Sequence, residues 1–235
     1  MDRREPTGCY DGGNALIDSL PEADRVLLVR ELTVFATEVP ACIVRYGDGY
    51  DEVLFPVDAI FSTTAKLGRG DVYEVALTGR QGVIGAEVAL GVTTAPRSVL
   101  TQIAGRTARI PRNRFTRCVE ESRSLLQAVQ HYFLRRLYVA EQFVACNFAH
   151  EPTQRCARWI LMLRDEAGRN GFTLRAEFLG MMLGLPPKAA AATGQRLHAM
   201  GVIRYADEEL EILDPQTLSE LSCECYALLQ DFAPA

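Results

Sequence analysis

The sequence predicts an α+β chain with a strand-rich N-terminal half, a long central helix and a C-terminal winged helix-turn-helix. Three observations carry this prediction. Short β-prone runs alternate with turn residues between positions 35 and 110, apolar residues recur every seven positions between 125 and 148, and two helical segments precede a hairpin pattern within 174–213. We therefore expect domain boundaries at 14–110, 111–150 and 151–235.

The N-terminal half has the pattern of a small antiparallel barrel or roll. Residues 14–32 come first; they have helical apolar spacing interrupted by Pro21, which predicts two short helices. The β-prone runs that follow are short, evenly spaced and separated by glycine-containing turns, a pattern typical of such rolls. The predicted strands are 42–46, 52–56, 59–65, 72–77, 98–103 and 107–110.

A long helix is expected between about 125 and 148. Its apolar positions fall into two series with a spacing of seven residues, the pattern of a two-stranded coiled coil, and so predict a homodimer. The alternative is an amphipathic helix that packs on its own domain. The predicted dimer-interface residues are Leu126, Phe133, Leu137, Ala140 and Val144.

Residues 174–213 read as a winged helix-turn-helix. Gly184 and Leu185 form the turn, Pro186 and Pro187 start the second helix, and strands are expected at 202–205 and 210–213. A final helix is expected at 217–229. In such a unit the second helix enters the major groove of DNA. The side chains expected to contact DNA are Arg175, Lys188, Thr193, Gln195 and Arg196.

The charge of this region is unusual for a DNA reader. Residues 189–192 are four alanines, which can only touch a thymine methyl group, and residues 207–209 are three carboxylates at the expected wing tip. From residue 151 onward, twelve Asp and Glu face eight Lys and Arg, and the whole chain has a net charge of −5. DNA affinity depends largely on phosphate neutralisation. A second hypothesis is therefore a sensor whose winged domain binds a protein partner instead of DNA.

The composition excludes several other classes. The polar N-terminus lacks a signal peptide, and no apolar run is long enough for a membrane span, so we expect a cytoplasmic protein. The seven cysteines are irregularly spaced, and Cys223 and Cys225 have no histidine or second cysteine pair near them in the sequence. We therefore expect no disulfide framework, no zinc site and no iron–sulfur cluster. No nucleophile–base constellation or phosphate loop is evident, so we do not expect an enzyme.

Several motifs together resemble the cyclic-AMP receptor / fumarate-nitrate regulator (Crp/Fnr) superfamily of bacterial transcription regulators. The resemblance covers residues 14–228, and it implies a cyclic-nucleotide-binding-like β-roll as sensor, a homodimer and a palindromic DNA operator. The motifs that carry it are Asn14-Ala-Leu-Ile, residues 19–24, Phe55-Pro56, Gly82-Val-Ile-Gly85, Ala95-Pro-Arg-Ser98, residues 178–184, Gly201-Val-Ile-Arg-Tyr205, Ile212-Leu-Asp214 and Ser222-Cys-Glu-Cys-Tyr226.

The resemblance also implies an effector pocket. In cyclic-nucleotide members a glutamate meets the ribose, and an arginine and a serine meet the phosphate; Glu87, Arg97 and Ser98 have the matching spacing, and backbone amides near Ala86 add donors. Arginine suits phosphate because it forms paired charge-assisted bonds. Two departures weaken the match. Ala86 replaces the glycine expected before the glutamate. In the family, two hydroxyl-bearing residues on the long helix contact the base of the nucleotide, and by alignment these positions are Ala140 and Glu141 here.

The effector therefore stays open among a cyclic nucleotide, a different small molecule and none. Haem is a further option, for which His131 and His150 are the candidate ligands. Redox sensing is another, through Cys118, Cys146 and Cys156, although buried cysteines without a redox role are more common.

Overall fold

The computed structural model describes residues 6–68 and 70–231. They form two compact units, 6–64 with 77–134, and 65–68 and 70–76 with 135–231. The predicted combination of a strand-rich N-terminal part and a helical C-terminal part is confirmed. Among the described helices, none combines the length and apolarity that a membrane crossing requires.

The first unit begins with two short helices, as the sequence predicts. Helix α1 is Ala15–Asp18 and helix α2 is Glu22–Val29. Asn14 is fully buried and caps α1 by accepting a hydrogen bond from the Ile17 amide. Its side-chain amide donates to the carbonyl oxygens of Pro56 and Gly82 at 2.8 and 3.0 Å. One asparagine thus links the start of α1 to the segments at Pro56 and Gly82.

In the described part of the roll there are seven strands: β1 (Thr33–Thr37), β2 (Cys42–Val44), β3 (Glu52–Pro56), β4 (Ile60–Lys66), β5 (Val72–Thr78), β6 (Ser98–Ile103) and β7 (Gly105–Pro111). They make two sheets, in the orders β1-β7-β3 and β2-β6-β4-β5. The pairings of β7 with β1 and β3, and of β6 with β2 and β4, are antiparallel. The sequence predicted all of these strands except β1.

Two helices follow the roll. Helix α3 is Arg112–Glu121, and its Phe115 ring packs edge-on against Phe55 with the ring centroids 6.0 Å apart. Helix α4 is Arg123–Ala149 and buries Tyr132 in the same core. A Cβ atom at Gly82 would lie 2.9 Å from the Tyr132 ring, so only glycine lets this turn pack directly on α4.

The apolar stripe of α4 divides into two parts. Leu126 and Phe133 are half-buried against the core of their own roll, as the alternative interpretation of the helix requires. In contrast, Leu137 and Val144 are 52% and 60% exposed, and Ala140 between them is exposed as well. Only the second half of the predicted seam is therefore a free apolar face.

From residue 152 onward, the described residues of the second unit form five more helices, α5 (Pro152–Ala167), α6 (Ala176–Leu183), α7 (Pro187–Ala199), α8 (Pro215–Leu221) and α9 (Cys225–Gln230), and three strands, β8 (Gly171–Thr173), β9 (Ile203–Ala206) and β10 (Glu209–Ile212). The strands form one antiparallel sheet in the order β8-β10-β9.

Two details of this unit differ from the sequence prediction. Strand β8 was not predicted, because three residues are too few to show an alternating pattern. The single helix predicted at 217–229 is interrupted, since Ser222 has extended backbone (φ −74°, ψ 161°) and Cys223 is buried between α8 and α9. This interruption points the C-terminal cysteines inward.

Candidate functional site

Helices α6 and α7 are joined by a very tight turn. Gly184 ends α6 in the left-handed conformation, with φ 64°, which glycine adopts without a steric penalty. A Cβ atom at Gly180 would lie 3.2 Å from the Leu185 carbonyl oxygen, so a small residue is needed where the turn crosses α6. Pro187 occupies the first position of α7, where its missing amide hydrogen costs nothing. The predicted helix-turn-helix is present.

Helix α7 has one buried and one exposed face. The buried face packs into the unit through Ala190, Thr193, Gly194 and Leu197. Thr193 is only 5% exposed, and its hydroxyl donates to the Ala189 carbonyl at 2.9 Å. The prediction that Thr193 contacts DNA is therefore wrong, because the pattern of apolar residues in an alanine-rich helix did not reveal which side faces inward.

The exposed face of α7 brings three of the predicted contacts together. Gln195 and Arg196 lie seven and eight residues after Lys188, about two helical turns along α7. All three side chains are exposed. Within the described part of the chain, Lys188 and Arg196 have no ion-pair partner. The Gln195 amide nitrogen is 3.5 Å from the Tyr205 carbonyl oxygen, too long for a strong hydrogen bond. These side chains are available to DNA.

The fifth predicted contact, Arg175, lies apart from them at the start of α6. It is the N-cap residue of this helix, and its Nε is 3.5 Å from the Glu177 carboxylate. Both side chains are partly exposed, so the pair is weak. Arg175 can exchange this carboxylate for a phosphate, with the amides at the α6 N-terminus as additional donors.

The wing is a two-residue hairpin with an acidic tip. Ala206 pairs with Glu209, which leaves Asp207 and Glu208 as the turn, with φ values of 51° and 65°. This is the geometry in which Asn-Gly is preferred, so a glutamate here carries backbone strain. The Leu174 amide donates to the Glu208 carbonyl at 2.7 Å and ties the tip to the chain before α6. All three tip carboxylates are exposed.

Much of the positive charge of this unit is engaged internally. Arg158 is 1% exposed, and its guanidinium lies 4.3 Å from the centroid of the Phe143 ring. Arg155 is also buried and donates to the Leu183 carbonyl at 3.2 Å. Three further arginines have carboxylate partners, namely Arg164, Arg175 and Arg204. Counting charges in the sequence thus overestimated the cations that can reach DNA.

The candidate effector residues lie in two segments, the short helix at 86–90 and the start of β6. Ala86 is fully buried and starts a short 3-10 helix, Ala86–Leu90, that also carries the half-buried Glu87. Arg97 is exposed and donates to the carbonyl of its own neighbour Pro96 at 3.1 Å. The Ser98 hydroxyl accepts a hydrogen bond from the Tyr46 amide at 2.9 Å. A phosphate would have to replace these local contacts.

Sequence reasoning missed a set of polar groups inside the roll. Thr78 and Thr101 are at most 2% exposed, and their hydroxyl oxygens have no hydrogen-bond partner among the described residues. Nearby in the fold, Ser62 donates to the buried Gln102 side chain at 3.2 Å. Threonine is a common strand residue, so nothing in the sequence distinguished these positions.

Four metal-ligating side chains meet in the second unit, contrary to the sequence prediction for Cys223 and Cys225. Cys146 and His150 lie at the C-terminal end of α4, and their ligand atoms lie within 4.8 Å of each other and of the sulfurs of Cys223 and Cys225. The sulfurs of Cys146 and Cys223 share a hydrogen bond at 3.6 Å, which lowers the pKa of the Cys223 thiol and raises that of Cys146. The cluster was not evident in the sequence, because Cys146 and Cys223 are 77 residues apart.

Residues 154–221 of this chain match the family model of the Crp-like helix-turn-helix domain. The match lies within the second unit and covers both α6 and α7. The chain has the fold of the Crp/Fnr superfamily. No curated protein matches the sequence.

Solved structures extend this fold over most of the chain. The structure of FixK2 from Bradyrhizobium japonicum covers 82% of this chain and 98% of its own, with a TM-score of 0.69 and 15% identity. CLP from Xanthomonas campestris, a c-di-GMP-responsive global regulator, covers 82% and 99%, with a TM-score of 0.64 and 14% identity. A CRP/FNR-family transcriptional regulator from Thermus thermophilus covers 80% and 97%, with a TM-score of 0.63 and 17% identity.

Proposed function

We propose that this Crp/Fnr-type chain is a homodimeric, DNA-binding transcription regulator whose β-roll responds to an effector. The observation that carries the proposal is the exposed face of α7, where Lys188, Gln195 and Arg196 stand together without ion-pair partners among the described residues. The protein-binding alternative for the winged domain has less support, because the domain matches the Crp-like family.

The exposed face of α7 carries side chains that are suited to contacts with DNA bases, and only a few that can bind phosphates. Lys188 and Arg196 suit guanine acceptors or phosphates, Gln195 suits adenine, and Ala192 between them suits a thymine methyl group. The acidic wing tip repels phosphates. We therefore expect recognition to depend on α7 and the α6 N-terminus rather than on the wing.

A homodimer supplies two such helices to a palindromic site. The free apolar face of α4, with Leu137, Ala140 and Val144, is the surface that a second copy of this chain would cover. Effector binding in the roll would change how the two α4 helices pair and thereby the spacing of the α7 helices over the two half-sites.

The DNA-binding proposal predicts selective capture of genomic fragments. Purified full-length protein is mixed with fragmented genomic DNA and a large excess of competitor DNA, and bound fragments are sequenced. We expect enrichment of a small set of fragments that share a palindrome, and a shallow salt dependence, because few free cations release counterions. If no fragment is enriched over competitor, with or without candidate effectors, DNA binding is excluded and the protein-partner hypothesis replaces it.

The effector proposal predicts a calorimetric signal with a cyclic nucleotide. Arg97 and Ser98 are the proposed phosphate ligands, and the structurally similar CLP is a c-di-GMP-responsive regulator. We expect heat on titration of cyclic AMP, cyclic GMP or c-di-GMP into the wild type, and about 10–100-fold weaker binding in Arg97→Ala, because one charge-assisted bond is removed. Arg117→Ala, in helix α3, is the control. No heat with any of the three nucleotides contradicts this proposal.

A further inference from the structure

A cluster of three cysteines and one histidine lies in the second unit, outside the DNA-binding surface. We propose that Cys146, His150, Cys223 and Cys225 bind one thiophilic divalent metal ion, Zn²⁺, as a structural site. The four side chains come from the end of α4 and from the interruption between α8 and α9.

The local spacing puts the ligands in position. His150 directly follows α4, and its amide donates to the Cys146 carbonyl at 3.1 Å, so one helical turn brings the two side chains to the same side. Cys223 and Cys225 flank Glu224, where the chain passes from α8 to α9, and both point into the unit. Each pair is thus held by its own backbone before any metal binds, which lowers the entropy cost of binding.

The distances match a tetrahedral zinc site. The Sγ atoms of Cys146 and Cys223 are 3.6 Å apart, and Cys225 Sγ is 3.6 Å from His150 Nδ1. Bond lengths of about 2.3 Å for Zn–S and about 2.0–2.1 Å for Zn–N place tetrahedral ligands about 3.8 Å apart for two sulfurs, and about 3.6 Å apart for sulfur and nitrogen. All four ligand atoms lie within 4.8 Å of one another.

The surroundings of the cluster are those of a closed structural site. Cys146, Cys223 and Cys225 are 0–2% exposed, and the four ligands match the Cys₃His set common in structural zinc sites. Three thiolates and Zn²⁺ have a net charge of −1. The buried guanidinium of Arg158 acts electrostatically on Cys146 and Cys223 and offsets this charge.

Outer contacts orient the ligands. His150 Nε2 is 3.1 Å from the Glu224 carboxylate, which leaves the Nδ1 lone pair directed toward Cys225. Metal-bound histidines usually have such a carboxylate on the other ring nitrogen. The Gln142 amide donates to Cys225 Sγ at 3.0 Å, a bond that favours the thiolate. Cysteines that only fill a core need neither a histidine nor these polar partners.

The metal content of purified protein tests the site. We expect about one zinc per chain in the full-length wild type by mass spectrometry of the metals, as a Cys₃His site holds one ion. Cys225→Ala should lose most of it. Cys156→Ala is the matched control, since Cys156 is another fully buried cysteine of the second unit outside the cluster. Equal metal content in Cys225→Ala and wild type overturns the proposal.

A titration covers the case in which Cys225→Ala fails to fold. Chelator-treated wild type is titrated with Co²⁺, and we expect the absorption bands of a tetrahedral cobalt site with thiolate ligands. Glu224→Gln keeps all four ligands and changes a largely exposed side chain. It should weaken metal binding about 10–100-fold through its effect on His150. If the reduced wild type gives no such bands, or if Cys146 and Cys223 are found joined in a disulfide, the site is not a metal site.

Discussion

Replacing both Lys188 and Arg196 by alanine is expected to lower affinity for the selected DNA fragments by about 30-fold or more. Each base or phosphate interaction of this kind is worth about 1–3 kcal/mol, and a total loss of about 2 kcal/mol already corresponds to this factor. Both side chains are exposed on α7, so the fold should be unchanged. Fluorescence anisotropy with a labelled fragment measures the dissociation constant.

The salt dependence of binding separates the two roles of these side chains. Removing one phosphate interaction should reduce the slope of log affinity against log salt concentration by about 0.9, whereas removing a base interaction should leave the slope unchanged and relax sequence preference. Arg117→Ala removes an exposed cation from helix α3 and should leave both affinity and slope as in the wild type. Wild-type affinity in the double variant would show that α7 does not bind DNA.

Val144→Asp is expected to convert the proposed dimer into monomers. Val144 is 60% exposed in the single chain, so a carboxylate there is solvated in the monomer and costs little. In the proposed dimer two carboxylates, one from each chain, would be buried against apolar side chains, which costs several kcal/mol. A loss of about 3 kcal/mol raises the dissociation constant of the dimer by more than a hundredfold.

The control for this prediction is Val92→Asp. Val92 is 45% exposed and lies outside α4, so the same substitution there should leave the oligomeric state unchanged. Sedimentation velocity over a range of concentrations distinguishes monomer from dimer. Should the wild type sediment as a monomer, or should Val144→Asp remain a dimer, the exposed face of α4 is not the dimer interface.

The elements that sequence periodicity predicted are those with many repeats of one pattern. Helix α4 was predicted at 125–148 and spans Arg123–Ala149, because 27 residues give a clear helical period. The winged helix-turn-helix was evident because Gly184 and Pro187 mark local backbone requirements that only a few residue types meet. Strand β8 depends on its pairing with β10, and no local pattern in three residues reveals that pairing.

The candidate sites were harder to predict, because they depend on direction and on distant residues. Thr193 and Gln195 are both polar residues of α7, but Thr193 faces the interior and Gln195 faces solvent. The run of alanines beside them does not show in the sequence which side of the helix is buried. The cysteine–histidine cluster needs Cys146 beside Cys223, and only the tertiary fold supplies that proximity. The sequence did reveal Lys188, Gln195 and Arg196, since polar residues in an alanine-rich helix are conspicuous.

The burial of Arg155 and Arg158 has a consequence for how the protein would compete for sites in a genome. Non-specific affinity for DNA comes from cations that neutralise phosphates, and the second unit keeps these two guanidinium groups in its interior. Ordinary genomic DNA, which offers millions of competing sites, would therefore sequester little of the protein. A small number of molecules per cell would then be sufficient to keep a specific operator occupied, and each release from it would return the protein to free solution.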